Sequence, residues 1–409
     1  MEIIVFIINL FEIIVFAYLG LAAFYILFFS VAGLFPYQPK VGASLVMRKI
    51  AVLIPGYKED SVIIDVAQNT LKQDYPKDLF EVIVIADSFR EETNEMLKAL
   101  PVRVIMVAFN KSTKSKALNA AMEVIDDHFD IAVILDADNM MKAGFLGKIN
   151  DAFNAGFKVV QGHRMAKNMN NTLALLDTIS EEINNHIFRK GHRVAGLSSA
   201  LIGSGMAFEY DFFKKTMNGI KAIGGFDKEL ELTLLRDGIR IEYLEHAIVL
   251  DEKVQKEAVF ENQRRRWLSA QFVYFRRFAW DGLVQFIRRF NIDYLDKIYQ
   301  MVQPPRILLL GILTIITMLS GFLSLFAAFR NSEIFAIPVI YWLVIWLFTA
   351  VALLLSVPAK LYNYGTFKAL LSLPRGFWLM LRSLFKLRHA NKAFIHTQHG
   401  VEEKANKEI

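Results

Sequence analysis

The chain has 409 residues, of which 54% are hydrophobic, and its mean hydropathy is +0.33. It has no cysteine, which excludes a disulfide framework and a thiolate metal site, and the hydrophobic excess is more than an ordinary soluble core needs. The formal net charge of +6 is by itself compatible with nucleic acid, anionic lipid or phosphate-bearing substrates.

The first segment, residues 1–36, is almost continuously apolar, and residues 13–35 within it carry no charge. This length predicts a helix that crosses a bilayer. A signal peptide is the alternative, but a basic start and a small-residue cleavage site are both missing. Basic residues follow the segment and predict that the next domain is cytosolic; they are Lys40, Arg48 and Lys49.

Residues 48–262 are predicted to form an α/β domain. Short aliphatic runs alternate with polar or amphipathic stretches of helical length, which indicates a mostly parallel sheet covered by helices. Ligands of such sheets bind at the carboxyl ends of the strands. The predicted strands are 50–54, 82–85, 102–107 and 131–135.

Polar residues follow the first two predicted strands. The first strand runs into Pro55, Tyr57 and Glu59, and on its own this is an ordinary strand–turn junction. The second strand delivers Asp87, followed by Ser88. Asp87 can accept hydrogen bonds from a base or a ribose, or either residue can cap the following helix, and both interpretations remain open.

The next two motifs favour a diphosphate and a metal ion. Lys111, Lys114 and Lys116 precede a helix start, where cations and free amides suit a diphosphate, although a solvated lysine loop is the alternative. Asp136 and Asp138 follow a buried strand, and two carboxylates there favour a divalent cation, Mg²⁺ or Mn²⁺. The alternative is a loop with two solvated acids.

Two further segments contain candidate residues. Gly203 and Gly205 are small enough to let a ligand approach the backbone. Asp227 precedes a predicted helix and is either its cap or an active-site base, with isolated sequence favouring the cap. Glu231 is the other carboxylate nearby.

The last third of the chain is predicted to contact the membrane. Residues 263–298 combine arginines with aromatic residues, which indicates helices in the headgroup layer. Residues 299–358 contain two apolar spans joined by a turn at Arg330–Glu333, as in a transmembrane hairpin. Residues 359–409 contain an apolar but basic stretch, predicted as an interfacial helix, and a cytosolic tail. The expected location is the inner membrane, with three crossings.

Taken together, these motifs resemble the membrane-bound processive branch of glycosyltransferase family 2, which includes cellulose, hyaluronan and chitin synthases. The resemblance covers about residues 50–270 and implies a GT-A (Rossmann-like) fold. It implies that the turn at Pro55–Glu59 binds the nucleotide and that Asp87 binds the base. It also implies that Lys116 and Asn119 bind the diphosphate.

The resemblance implies further roles in the second half of the domain. Asp136 and Asp138 match the metal-binding Asp-x-Asp motif of the family. Gln263, Arg266 and Trp267 match its Gln-x-x-Arg-Trp motif, which is associated with the acceptor channel and the donor pyrophosphate. Outside the domain, the segment Phe394–Gly400 looks like a reduced gating loop.

The sequence departs from the family at the general base. Members usually carry Thr-Glu-Asp, whereas the matching positions here read Gly225, Phe226 and Asp227. The spacing to Gln263 is retained, so the base role is carried to Asp227, with Glu231 as the fallback.

The expected function is inverting transfer of a sugar from a nucleotide-sugar donor, a UDP-linked hexose or N-acetylhexosamine by resemblance, to a growing polysaccharide or lipid-linked glycan. The alternatives are transfer of a single sugar to a polyprenyl phosphate or another lipid, and a catalytically degenerate membrane scaffold. Export or polymerisation subunits are candidate partners. A nucleic-acid partner is not expected, because the basic residues cluster beside apolar spans. Sequence alone leaves the sugar, acceptor, linkage and oligomeric state open.

Overall fold

A computed structural model describes residues 2–40, 46–126, 128–222, 224–330 and 336–385. The predicted segment Phe394–Gly400 and most of the predicted turn at Arg330–Glu333 lie outside these ranges. The strands are β1 (Ile50–Tyr57), β2 (Phe80–Asp87), β3 (Arg103–Val107), β4 (Ile131–Ile134), β5 (Met140–Met141), β6 (Val159–Ala166), β7 (Met206–Glu209) and β8 (Glu242–Asp251).

The helices that cover the sheet alternate with these strands. They are α2 (Ile63–Leu71), α3 (Glu91–Lys98), α4 (Lys114–Val124), α5 (Phe145–Asn154), α6 (Thr172–Asn184), a π-helix (Asn185–Gly191), α7 (His192–Val194), α8 (Tyr210–Met217) and α9 (Phe226–Arg236). The remaining helices are α1 (Glu2–Gly33) before the sheet, then α10 (Glu257–Arg289), α11 (Ile292–Val302), α12 (Arg306–Arg330), α13 (Val339–Leu355), the 3₁₀ turn Ala359–Leu361, α14 (Tyr364–Leu370) and α15 (Leu373–Phe385).

The described strands form one sheet in the order β3-β2-β1-β4-β7-β6-β8-β5. The four predicted strands are all present and run parallel to one another as β3-β2-β1-β4. The other half differs from the expected mostly parallel sheet, because β7 runs antiparallel to β4 and β6, and β5 runs antiparallel to β8. The result is a GT-A-like mixed sheet with helices on both faces.

Two apolar layers hold the helices to the sheet. One face of the sheet packs against α4, α8 and α9 and against the buried side of α10, through residues such as Leu118, Phe213 and Leu230. The opposite face packs against α2 and α5, through residues such as Ile63 and Phe145. Successive side chains of each buried strand pack alternately into the two layers; in β1, Leu53 packs into the first and Ile54 into the second.

The apolar helices at the two ends of the chain pack together. Leu19 and Ile26 of α1 and Trp342 and Ile345 of α13 share one buried cluster, which continues onto the π-helix through Ile187. Among the described residues, α1 and α12 are long and apolar enough to cross a membrane, and α13 is a shorter apolar helix. Only 6% of the most apolar window of α1 is buried, unlike the core helix of a soluble protein.

Candidate active site

The carboxyl ends of the parallel strands open into a cavity of about 1540 Å³. This position follows from the topology, because the ends of β1, β2 and β4 meet at one edge of the sheet. Most of the predicted site residues line this cavity: Pro55, Tyr57, Glu59, Asp87, Asp136, Asp138, Asp227, Gln263, Arg266 and Trp267.

The ends of β1 and β2 lie side by side. Tyr57 is in register with Asp87, and the residue after each of them, Lys58 and Ser88, has a positive φ of 55° and 59°. A positive φ in residues other than glycine is strained and turns the chain sharply at the mouth of the cavity. Asp87 is 2% exposed and accepts a hydrogen bond of 2.9 Å from the hydroxyl of Ser88. The capping alternative is wrong, because the N-cap of α3 is Arg90.

The Asp-x-Asp segment follows β4 and contacts a lysine. Asp138 is 7% exposed, and the backbone N–H of Asp136 donates to the Oγ of Ser204 at 2.9 Å. The ammonium group of Lys114 contacts Asp136 Oδ1 directly and also donates to the Gly203 carbonyl at 2.7 Å. One cation thus already neutralises a carboxylate of this pair.

Asp227 lies in the first turn of α9, and the N-cap of that helix is Gly225, in the left-handed region at a φ of 65°. The prediction that Asp227 caps the helix is therefore wrong. Its carboxylate lies near the guanidinium of Arg266: burial lowers the pKa of Arg266, while the negative charges of Asp227 and Asp136 act in the opposite direction. The alternative base, Glu231, forms a buried ion pair of 2.7 Å with Lys297.

The Gln-x-x-Arg-Trp motif occupies one face of α10. Gln263, Arg266 and Trp267 are spaced three and four residues apart, so a helix presents them together, here to the cavity. The neighbouring Arg264 stacks on Trp267, with 4.7 Å from its guanidinium carbon to the ring centroid. The motif therefore places an indole and two guanidinium groups beside the strand ends.

Three predicted residues do not line the cavity. Lys116 donates from its ammonium to the Lys111 carbonyl at 3.0 Å, and the Asn119 amide donates to the Met217 carbonyl at 3.1 Å, which ties α4 to α8. Gly205 bridges strands instead: its N–H donates to Ile134, and its carbonyl accepts from Gly162, each at 2.8 Å. Their predicted binding roles therefore have no support from this geometry.

A buried ionic network beside the Asp-x-Asp segment was not foreseen. Arg164 of β6 pairs with Glu181 at 3.0 Å and with Asp251 at 3.6 Å, and Lys253 pairs with Asp251 at 2.8 Å. Burial acts to lower the pKa of Arg164, but the carboxylates of Asp251 and Glu181 outweigh it and raise that pKa. The sequence indicates this network only through charged residues that interrupt otherwise apolar strands. That pattern does not reveal which charged residues pair with one another.

The donor chemistry of the strand ends fits a divalent cation. Asp136 and Asp138 offer hard carboxylate oxygens, and Mg²⁺ is commonly held by one or two carboxylates together with substrate phosphates. Among the described residues no three His, Cys, Asp or Glu side chains cluster closely enough to form a complete protein cage. These two aspartates therefore fit a metal that is shared with a bound diphosphate.

The sequence pattern described as "Glycosyltransferase like family 2" matches residues 48–270, more than half of the chain. The chain belongs to this family. The matched range covers the whole sheet together with the first part of α10.

Two curated relatives are named as glycosyltransferases. A Bacillus subtilis protein described as "Probable glycosyltransferase YdaM" is 25% identical over 238 residues, which cover 54% of each chain. The poly(ribitol-phosphate) β-N-acetylglucosaminyltransferase TarS of Staphylococcus aureus is 27% identical over 97 residues, 23% of this chain and 17% of TarS. The chain thus spans about half the length of one relative and a smaller part of the other.

The chain is also similar to solved structures at low identity. The mannosyltransferase PcManGT from Pyrobaculum calidifontis, in complex with GDP-Man and Mn²⁺, is 16% identical, with a TM-score of 0.49 over 83% of this chain and 97% of that chain. A Mycobacterium tuberculosis glucosyl-3-phosphoglycerate synthase in complex with Mn²⁺, UDP and phosphoglyceric acid is 17% identical, with a TM-score of 0.36 over 51% of this chain and 72% of that chain.

Proposed function

We propose that this glycosyltransferase transfers a sugar with inversion from a nucleotide-sugar, a UDP-linked hexose or N-acetylhexosamine, to an acceptor hydroxyl at the membrane surface. The observation that carries the proposal is the shared cavity at the strand ends, which Asp87, Asp136, Asp138 and Asp227 all line. Four carboxylates from three separate stretches of the chain converge there beside Arg266 and Lys114. Such convergence suits a ligand that combines hydroxyls with a diphosphate.

Each group has a role that follows from its position. Asp87, buried at the end of β2, accepts hydrogen bonds from the nucleoside, next to Tyr57 and Glu59. Arg266 and Lys114 supply positive charge to the leaving diphosphate. Asp136 and Asp138 would hold a divalent cation, Mg²⁺ or Mn²⁺, which when bound stabilises negative charge on the diphosphate.

The chemical step needs a base opposite the leaving group. Asp227 accepts the proton of the acceptor hydroxyl as its oxygen bonds to the anomeric carbon. The bond from that carbon to the diphosphate oxygen breaks, and the electron pair leaves with the nucleoside diphosphate. One inversion results, and no enzyme nucleophile is required.

The membrane arrangement is part of the proposal. We place α1, α12 and α13 across the inner membrane and the catalytic domain in the cytosol, which is supported by the exposed apolar surfaces of these helices. With 17 residues, α13 is at the short end of a spanning helix. The exposed Trp280 and Ile287 of α10, together with the exposed C-cap residue Phe290, lie near Arg288 and Arg289 and suit the headgroup layer.

Donor turnover tests this function. The purified chain is screened against nucleotide-sugars for nucleotide release with Mg²⁺ or Mn²⁺. Asp138→Asn and Asp227→Asn are expected to lower turnover at least about a hundredfold. Asp237→Asn, an exposed carboxylate of the loop after α9, is the matched control and retains wild-type turnover. Near wild-type turnover of both site variants would overturn the proposal.

Glu231→Gln separates the two candidate bases. Because Glu231 is paired with Lys297, its replacement leaves a buried ammonium without its partner and destabilises the fold by about 3 kcal/mol. Asp227→Asn is expected to lose turnover with little change in melting temperature. The reverse pattern would move the base role to Glu231.

Product analysis distinguishes repeated from single addition. The Gln-x-x-Arg-Trp motif favours polymer extension by resemblance, and a ladder of oligosaccharides would support it. A single glycolipid species would show transfer of one sugar to a lipid. Nucleotide-sugar binding without transfer to any acceptor would instead support a membrane scaffold.

A further inference from the structure

The cavity continues beyond the strand ends into an apolar region between α12, α13, α14 and α15, which we term the gallery. Its lining is mostly apolar and includes Leu310, Trp346, Leu353, Phe367, Leu370 and Leu379, with a few polar residues such as Asn363 and Thr366. A glycan in this region would leave most of its hydroxyls without partners, at a cost for each buried group. A hydrocarbon chain, in contrast, gains free energy in proportion to the apolar area that it buries.

An arginine, Arg306, lies where the gallery meets the polar part of the cavity. Arg306 is the first residue of α12, and its Nη2 donates to the carbonyl of Ser180 at 3.2 Å and to its hydroxyl at 3.4 Å. The guanidinium also lies over the ring of Phe188, 5.6 Å from the centroid. Its Nη1 is buried without an acceptor, and no carboxylate of the described chain forms an ion pair with it.

The neighbouring carboxylates are already engaged. Asp177 contacts Arg264, while Glu181 is shared by Arg164 and Arg189. Arg264 also has a buried Nε without an acceptor among the described residues. A buried cation without a counter-ion is costly, and a ligand oxygen with negative charge would supply the missing acceptor.

We propose that the acceptor is a phosphate-bearing lipid. Its alkyl chain lies in the gallery, its phosphate binds Arg306 and Arg264, and its hydroxyl-bearing headgroup extends toward Asp227. This inference rests on the proposed function, because it assigns the acceptor of the same reaction. Arg306 also begins an apolar helix that is long enough to span a membrane, a position at which a lipid phosphate is expected.

Ligand binding tests the inference without requiring turnover. The chain is placed in nanodiscs of phosphatidylcholine and titrated with dodecyl phosphate, with empty nanodiscs as the background, and bound ligand is quantified by mass spectrometry. Dodecanol lacks the phosphate and inorganic phosphate lacks the chain, so each is expected to bind at least about tenfold more weakly. Equal binding of inorganic phosphate would overturn the lipid assignment and leave a simple anion site.

Variants locate the ligand. Arg306→Gln removes the charge, and Ala350→Phe adds an aromatic ring to the wall of the gallery, so both are expected to weaken dodecyl phosphate binding at least about tenfold. Arg382→Gln is the matched control, since Arg382 lies on α15 outside the cavity lining and retains wild-type affinity. Unchanged affinity in both Arg306→Gln and Ala350→Phe would overturn the inference.

Nucleotide binding, measured on the same samples, distinguishes the two proposals. UDP and GDP are titrated in the presence of Mn²⁺. If a nucleotide binds and dodecyl phosphate does not, the lipid acceptor is wrong and the proposed donor reaction stands. If dodecyl phosphate binds and no nucleotide does, the lipid site stands and the proposed function fails. Folding of each variant is checked by its melting temperature.

Discussion

Lys114 and Lys116 are two positions apart, yet only Lys114 reaches the cavity. Its ammonium contacts Asp136 and lies 5.0 Å from the ring centroid of Phe226, so it stands between the Asp-x-Asp segment and α9. We expect Lys114→Gln to lower kcat/KM for the donor by about tenfold to a hundredfold, because a positive charge beside the leaving diphosphate is lost. Nucleotide release by the purified variants measures this.

Lys116→Gln is the matched control for Lys114→Gln. It removes the same charge from the same end of α4, but its ammonium contacts the Lys111 carbonyl and the ring of Phe109 outside the cavity, so its kcat/KM is expected to stay within about threefold of wild type. A larger loss of kcat/KM in Lys116→Gln than in Lys114→Gln would instead assign diphosphate binding to Lys116, as the family motif indicates.

The same pair shows how far sequence reasoning reaches at single residues. Asp87, Asp136 and Asp138 were predictable, because each follows a buried aliphatic run and parallel strands end at a common edge. Which lysine reaches the cavity was not predictable. Residues two apart on a helix point about 200° apart, so whether Lys114 or Lys116 faces the strand ends depends on where the helix begins. Thr113 sets that point, by accepting the Lys116 N–H at 3.2 Å.

Among the elements, the crossing of α1 over the π-helix depends on glycine. A Cβ on Gly191 would lie 2.2 Å from the carbonyl oxygen of Phe29 and 3.1 Å from that of His186. These are backbone atoms, which cannot move aside without separating the two helices. Gly191→Ala is therefore expected to lower the free energy of unfolding by about 1–3 kcal/mol, measured by thermal melting in detergent.

Gly147→Ala on α5 is the control for this crossing. Nothing lies within 4 Å of its Cβ position, so the change is expected to be neutral or to stabilise by up to about 1 kcal/mol, as alanine favours a helix. A melting temperature of Gly191→Ala equal to that of Gly147→Ala would show that the crossing tolerates a side chain.

The ionic network that joins β6, α6 and β8 makes a prediction about pH. Burial acts to raise the pKa of Glu181, but the guanidinium groups of Arg164 and Arg189 outweigh it and hold the pKa well below its ordinary value of 4.5. A carboxyl with a depressed pKa stabilises the fold above that ordinary value, and the contribution is lost as the pH falls. The melting temperature is therefore expected to drop as the pH is lowered from about 5 to about 2.

Glu181→Gln isolates this contribution. The variant is expected to be less stable at neutral pH by about 3 kcal/mol, since Arg189 loses its carboxylate, and to show a flatter decline on acidification. Glu123→Gln, an exposed carboxylate of α4, is expected to follow the wild-type curve. A Glu181→Gln variant with the full wild-type acid dependence would assign that dependence to other carboxylates.

Some strands could be predicted from the sequence and others could not, for a physical reason. Fully buried parallel strands are continuous aliphatic runs, so β1 to β4 were visible in the sequence. The strands β6, β7 and β8 contain polar residues such as Gln161, Arg164 and Glu242, whose partners come from distant segments, and they were not predicted. The π-helix and the single 33-residue α10 likewise depend on tertiary packing.

At the scale of the whole molecule, α1 meets a helix from the last third of the chain, α13. Ser30 of α1 donates to the Ala352 carbonyl of α13 at 2.8 Å, and Glu12 accepts from the backbone of Ala336 at 2.8 Å. Sequence could predict that these helices are apolar, but not that they pack against one another and against the π-helix. The cavity follows from this packing, because α12 to α15 extend it beyond the strand ends.

The proposed topology makes a prediction that the composition of the chain renders easy to test. With no native cysteine, single cysteines report accessibility without background. With three crossings and a cytosolic catalytic domain, Ile3→Cys at the start of α1 lies on the outer side, and Met106→Cys at the edge strand β3 lies in the cytosol; their native side chains are 75% and 62% exposed. A membrane-impermeant maleimide is expected to label Ile3→Cys in spheroplasts and Met106→Cys only after permeabilisation. Labelling of Met106→Cys in intact spheroplasts would contradict a cytosolic domain, and protection of Ile3→Cys until permeabilisation would mean that α1 does not cross the bilayer.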